Sequence, residues 1–138
     1  MEALKTKIGA TFGKLPRGTY KDLPYPAIDF SKATFDSAQR ALPTNYLKGV
    51  FAAPSIDNAD YYAMRVAMSI LQTLVYQEVR GRLQLSYAPD ADMGSFAANT
   101  ANISVSTTDP NRATSAMLAQ IKFLQERSLN PAIIDEIA

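Results

Sequence analysis

The stretch A-A-N-T-A-N-I-S-V-S-T-T-D-P, residues 97–110, changes its period part-way along, and that change sets the fold class. Ala97, Ala101, Ile103 and Val105 alternate with Ala98, Thr100, Asn102, Ser104 and Ser106. This is the period-2 pattern of a strand with one buried face. Asp109-Pro110 then gives a side-chain N-cap followed by proline at the first helical position, where its missing N–H costs nothing. Ala113, Ala116, Met117, Gln120, Ile121 and Leu124 continue at helical spacing.

Upstream of this strand, Leu85, Tyr87, Pro89, Ala91 and Met93 share one face of an extended segment. Pro89 lacks an N–H and places that segment at a sheet edge or a bulge. Gly94-Ser95 reads as the turn of a hairpin joining the two. Before them lies a long helix over residues 60–73, with Met64, Ala67, Met68 and Leu71 on one stripe and Val66 and Ile70 on an adjoining one. So wide an apolar girth predicts cover on more than one side. Leu74 to Arg82 continues in helical style, expected as a separate short helix after a bend. Tyr46 to Ala53 is a strand closed by Pro54, and Ala33 to Arg40 a weaker, more polar one. Leu42-Pro43-Thr44-Asn45 between them suggests a hairpin turn. Hairpin-joined strands with helices returning to one face make an α+β domain with a mainly antiparallel sheet.

The two ends read differently. Leu4, Ile8 and Phe12 recur at helical spacing up to Gly13, a left-handed cap. Pro16, Gly18, Pro24 and Pro26 follow, too many breakers for a regular element, and predict an extended linker. Asn130-Pro131 starts another helix, which runs to Ala138 without a capping glycine. That abrupt stop leads us to expect a piece of something longer.

Composition excludes several chemistries. The 138 residues suffice for one domain with a real core, and 47% hydrophobic with 20% charged residues is ordinary for a globular protein. With 14 basic against 13 acidic residues there is no basic excess to attract nucleic acid or an anionic membrane. No apolar run approaches the roughly 20 residues that span a bilayer. Met1 to Lys5 has neither the basic flank nor the apolar centre of a signal peptide. Cysteine and histidine are both absent. Thiolate metal sites, disulfides and any Ser-His-Asp or Cys-His catalysis within this chain go with them.

A set of ordered motifs carries more than this. Asp60-Tyr61-Tyr62-Ala63 opens the long helix, Tyr76-Gln77-Glu78-Val79-Arg80 closes the helical run, and Leu85-Ser86-Tyr87 follows. Together with Ser95-Phe96, Ser104-Val105-Ser106-Thr107 and Asp109-Pro110, the set is similar to the second, non-zinc-binding half of the pitrilysin/insulinase family of zinc metallopeptidases. The resemblance covers about residues 51–136. Two positions depart from it: Gly81 stands where the family usually has glutamate, and Gln84 where it has the glycine before the strand.

The resemblance implies a division of the chain and of the chemistry. Residues 1–15 resemble the closing helix of a preceding domain, 16–32 an inter-domain linker, and 33–138 the inactive peptidase domain, cut short at its C-terminus. The family's zinc motif, H-x-x-E-H, lies in the other half, where two histidines and a later glutamate hold the metal and the motif's glutamate is the general base. No residue of this chain supplies it, so no catalytic or metal-binding residue is expected here. Zinc is expected in a histidine-bearing N-terminal half or partner subunit. By carry-over, Arg80 and Tyr87 contact peptide substrate. A guanidinium can donate paired hydrogen bonds to a carbonyl or carboxylate without losing its charge. A phenol can donate to an oxyanion developing on the scissile carbonyl.

Simpler roles exist for both residues. An arginine at a helix end complements the helix dipole, and a tyrosine entering a strand sits at the core edge with its hydroxyl in water. Arg65 on the long helix reads as a solvated residue, Met64, Met68 and Met117 as core, and Asp109 and Asn130 as caps. Two other functions stay open beside the substrate-chamber half: a catalytically dead assembly subunit of the same family, and an unrelated α+β binding module. A sheet that is not antiparallel, or Arg80 and Tyr87 pointing to opposite faces, would favour the last.

Overall fold

A computed structural model of the chain describes residues 1–19, 21 and 28–126. Among these, the elements run α1 (Glu2–Ala10), β1 (Asn45–Ala52), α2 (Tyr61–Val75), β2 (Asp90–Met93), β3 (Thr100–Thr107) and α3 (Pro110–Glu126). A 3-10 turn, Phe12–Lys14, follows α1, and a π-helical segment, Tyr76–Arg82, follows α2. The expected helix from Asn130-Pro131, and Pro24 and Pro26 of the expected linker, lie outside the described residues.

The sheet has the order β1-β3-β2 and is antiparallel throughout. Its centre is the alternating stretch. Ala101, Ile103, Val105 and Thr107 are buried, and the residues between them are half-buried. Leu47, Gly49 and Phe51 of β1 stand opposite Val105, Ile103 and Ala101, and Ala91 and Met93 of β2 stand opposite Ile103 and Ala101. Cross-strand partners share a face, so one apolar face is assembled from all three strands. Met68, Leu71 and Val75 of α2, Val79 beyond it, and Ala113, Ala116 and Met117 of α3 close over that face in a single buried cluster. Ile70 is buried apart from this cluster, as its second stripe on α2 anticipates. The architecture is α+β with helices on one face of an antiparallel sheet.

Side chains at the element ends explain the boundaries. Asn58 accepts from the Asp60 N–H at 2.8 Å through Oδ1, and its carbonyl accepts from the Tyr61 N–H at 3.1 Å, which sets the start of α2. Asp109 caps α3 as the Asp-Pro pair predicts, its Oδ1 accepting from the Arg112 N–H at 3.2 Å. In the β2–β3 loop, a Cβ on Gly94 would stand 2.7 Å from Asn99 Oδ1 and from the Phe96 ring, so a larger residue there would require those side chains to shift.

Four expectations need correction. Gly13 is not a left-handed cap: α1 ends at Ala10 with Thr11 as its C-cap, and Gly13 lies within the 3-10 turn without a positive φ. Residues 33–40 form no strand and make no hairpin with β1, which is an edge of the sheet. Phe35, their one large apolar side chain, is 90% exposed, so the segment has no apolar face whose burial could hold it in a sheet. The run from Leu74 to Arg82 is not a separate helix after a bend. Tyr76 keeps helical torsions, and α2 passes directly into the π-helical segment. Finally, only Asp90–Met93 of the 85–93 segment pairs with β3. Here the Gln72 amide on α2 stands in for a neighbouring strand. Its Oε1 accepts from the Ala91 N–H at 2.6 Å, and its Nε2 donates to the Pro89 carbonyl at 3.5 Å. Pro89 therefore sits at an edge, where its lack of an N–H is tolerated.

Candidate functional site

The helical run that begins at Tyr61 ends in a widened turn. Val79 is fully buried and anchors this segment to the core, while the Leu83 N–H reaches back to the Glu78 carbonyl at 2.9 Å, an i→i+5 bond. Single π turns of this kind are frequent at functional sites. The Leu85 N–H then bonds to the Val79 carbonyl at 2.9 Å, and the Leu85 carbonyl accepts from Thr107 Oγ1 at 2.8 Å. The reversal between helix and strand is thus pinned at both ends.

The reversal turns on Gln84, whose φ of 52° places it in the left-handed region. Glycine is the usual residue for such a helix end because side chains are disfavoured there. The departure at Gln84 is therefore one of residue type, while the backbone keeps the conformation a glycine would take. Gln84→Gly is expected to raise the unfolding free energy by about 0.5–1 kcal/mol, the relief of left-handed strain exceeding the added freedom of the unfolded chain. Gln84→Val is expected to lower it by roughly 1 kcal/mol. Urea midpoints of the three proteins check both.

This turn brings Arg80 and Tyr87 together. The Arg80 Nη1 donates to the Tyr87 carbonyl at 3.1 Å, and the guanidinium carbon lies 3.9 Å from the centre of the Tyr87 ring. Tyr76 also approaches the guanidinium, with its ring centre 5.1 Å from the same carbon. Both distances fall within cation–π range. Arg80 is half-buried, Tyr76 is exposed on one side, and Tyr87 is 77% exposed. The two residues do not point to opposite faces. Arg80 lies in the last turn of the helical run within reach of two aromatic rings, and Tyr87, outside β2, is largely exposed.

Glu78 and Arg82, one turn apart, form a two-point ion pair beside this group. Arg82 Nε donates to Glu78 Oε2 at 2.7 Å, and Arg82 Nη2 bonds Oε1. The hydrogen bond from Arg82 holds the Glu78 carboxyl below the usual carboxylate range, and Glu78 raises Arg82 in turn. This pairing commits the nearest carboxylate to Arg82. Among the described residues Arg80 has no carboxylate partner.

Tyr76 was not singled out by the sequence motifs, although its spacing of four from Arg80 on a helix was a usable signal. Arg65 is exposed, as expected of a solvated residue, and also donates to the buried Tyr61 hydroxyl at 3.2 Å. Met68 and Met117 are core, and Met64 packs against it half-buried. Among the described residues no cluster of three or more histidine, cysteine, aspartate or glutamate side chains could hold a metal. The residues present do not fit a zinc centre. No helix of the described residues is long and apolar enough to cross a membrane.

Residues 2–138 match the family model of the peptidase M16 inactive domain, nearly the whole chain. No curated protein matches it.

Proposed function

The chain belongs to the peptidase M16 inactive-domain family, and from that membership we propose that it walls and grips the substrate chamber of a zinc-dependent peptidase. It is a non-catalytic peptidase half. On this reading Arg80 and Tyr87 bind the peptide, while zinc and the H-x-x-E-H motif reside in a histidine-bearing half, upstream in the same polypeptide or on a partner subunit. Residues 1–15 then close a preceding domain, 16–32 link the two, and 33–138 form the inactive domain. The exposure of every residue of α1 supports setting that helix apart.

The observation that carries the reading is the juxtaposition of Arg80 with Tyr87 across the turn. A permanently charged fork and an exposed phenol meet on a turn fixed by buried Val79 and by Thr107. Such rigid support is what a binding group needs. Arg80 can donate to a peptide carbonyl or carboxylate. The Tyr87 hydroxyl can donate to a carbonyl oxygen as negative charge develops on it. Neither residue takes up or gives away a proton in this scheme, which suits a half without a general base.

The test is to follow zinc and peptide cleavage with and without this chain. Alone, the chain is expected to bind no stoichiometric zinc and to hydrolyse nothing. Joined to the histidine-bearing half it is expected to restore cleavage. Cleavage by the other half at the full rate in its absence would overturn the reading. A joined assembly that needs the chain to form, yet is indifferent to Arg80 and Tyr87, would make it an assembly subunit instead.

A further inference from the structure

We infer that Tyr76 is a positioning residue for Arg80, holding its guanidinium against Tyr87 so that the grip on peptide is formed before peptide arrives. The inference rests on the proposed peptide-binding role of Arg80 and extends it to Tyr76, a residue to which the resemblance assigns no role. Its basis is the approach of both rings to one guanidinium, whose carbon lies 5.1 Å from the Tyr76 ring centre and 3.9 Å from that of Tyr87.

Arginine carries much rotamer freedom, and a side chain that must be immobilised on binding weakens affinity by that loss. Here the freedom is restricted in advance by three contacts. The Tyr76 and Tyr87 rings both lie within cation–π range of the guanidinium, and the Tyr87 carbonyl accepts one hydrogen bond from Nη1. A guanidinium has five N–H donors. That single bond is the only one Arg80 makes among the described residues, so most of its donor capacity stays unspent. The widened turn contributes as well, since Tyr76 opens the π-helical segment in which Arg80 lies. Glu78, the acid closest in sequence, is held by Arg82 and does not compete.

Tyr76 is 42% exposed, so replacing it should leave the fold intact. The experiment compares Tyr76→Leu and Tyr76→Phe with the parent chain and with Arg80→Ala. One readout is the NMR relaxation of the Arg80 Nε–H group, and the other is the affinity of the zinc-stripped assembly for a capped, unstructured peptide. Tyr76→Leu is expected to mobilise the Arg80 side chain and weaken peptide binding about 3- to 5-fold, the size of one exposed cation–π contact. Tyr76→Phe keeps the ring and is expected to restore both. Unchanged Arg80 relaxation in Tyr76→Leu would overturn the inference. So would a mobile Arg80 with unchanged affinity, provided Arg80→Ala still weakens binding, and the peptide-binding reading would then survive. If Arg80→Ala leaves affinity untouched, the reading itself fails and the inference falls with it.

Discussion

Arg80→Ala in the assembled peptidase is expected to lower kcat/KM by about 100-fold or more, in the range found when one preorganised donor is removed from an active site. Zinc content should be unchanged, because no cluster of side chains among the described residues could hold a metal. The size of the effect follows from the environment. Arg80 is half-buried and in reach of two aromatic rings, with no carboxylate partner among the described residues to screen it. Its removal also releases the Tyr87 carbonyl, which accepts the 3.1 Å bond from Nη1. Arg80→Lys should rescue only in part, since an ammonium cannot reproduce the flat fork that stacks on both rings. Tyr87→Phe is a cleaner cut. It keeps the ring that faces Arg80 and the backbone carbonyl that binds it, and removes the hydroxyl alone. That variant is expected to lose kcat more than KM, the signature of a contact made chiefly in the transition state.

Met117→Ala is expected to cost about 2–5 kcal/mol of stability, the range for truncating a large buried aliphatic side chain. Met117 is the largest of the fully buried side chains and lies in the one cluster that joins α2, α3 and the sheet. Its neighbours in that cluster include Ala101 and Ala113, both without exposed surface, and these cannot expand to fill a cavity. The melting temperature should fall by roughly 10 °C, with the urea midpoint moving in the same sense. Met117→Leu nearly conserves volume and should cost less than about 1.5 kcal/mol. Differential scanning calorimetry of the three proteins separates these outcomes. A loss below 1 kcal/mol for the alanine variant, on the order of a surface substitution, would show that α3 is not closed over the sheet as described.

Much of this fold is written in local pattern. The alternation from Ala101 to Thr107 gave the central strand, because a strand buried on one face must alternate. Asp109-Pro110 marked the start of α3 to the residue, because capping chemistry is local. Other features depend on partners far along the chain. Nothing in residues 85–89 shows that Gln72 will occupy the edge beside them, since its amide reaches Ala91 across 19 positions. The weak strand expected at residues 33–40 failed for want of an apolar face, a matter of tertiary burial. A π turn and an α turn are equally compatible with Tyr76-Gln77-Glu78-Val79-Arg80, so the widened turn was not legible.

The candidate site shows the same division. Arg80 and Tyr87 were found through family motifs, and a seven-residue separation brings two side chains into contact neither on a helix, where it is two turns, nor on a strand, where it gives opposite faces. Contact between them requires the reversal at Gln84, whose left-handed backbone no propensity assigns to glutamine. Tyr76 could have been found from spacing alone, as an aromatic four residues before an arginine.

The central proposal is that this inactive half grips peptide through Arg80 while another half carries the metal. The most direct test is the equilibrium affinity of the zinc-stripped assembly for a capped peptide, where binding is seen without cleavage. Losing a hydrogen bond to a charged group costs about 1.5–3 kcal/mol. Arg80→Ala should therefore raise Kd by roughly 10- to 100-fold. An unchanged Kd, with the assembly intact, would contradict the proposal.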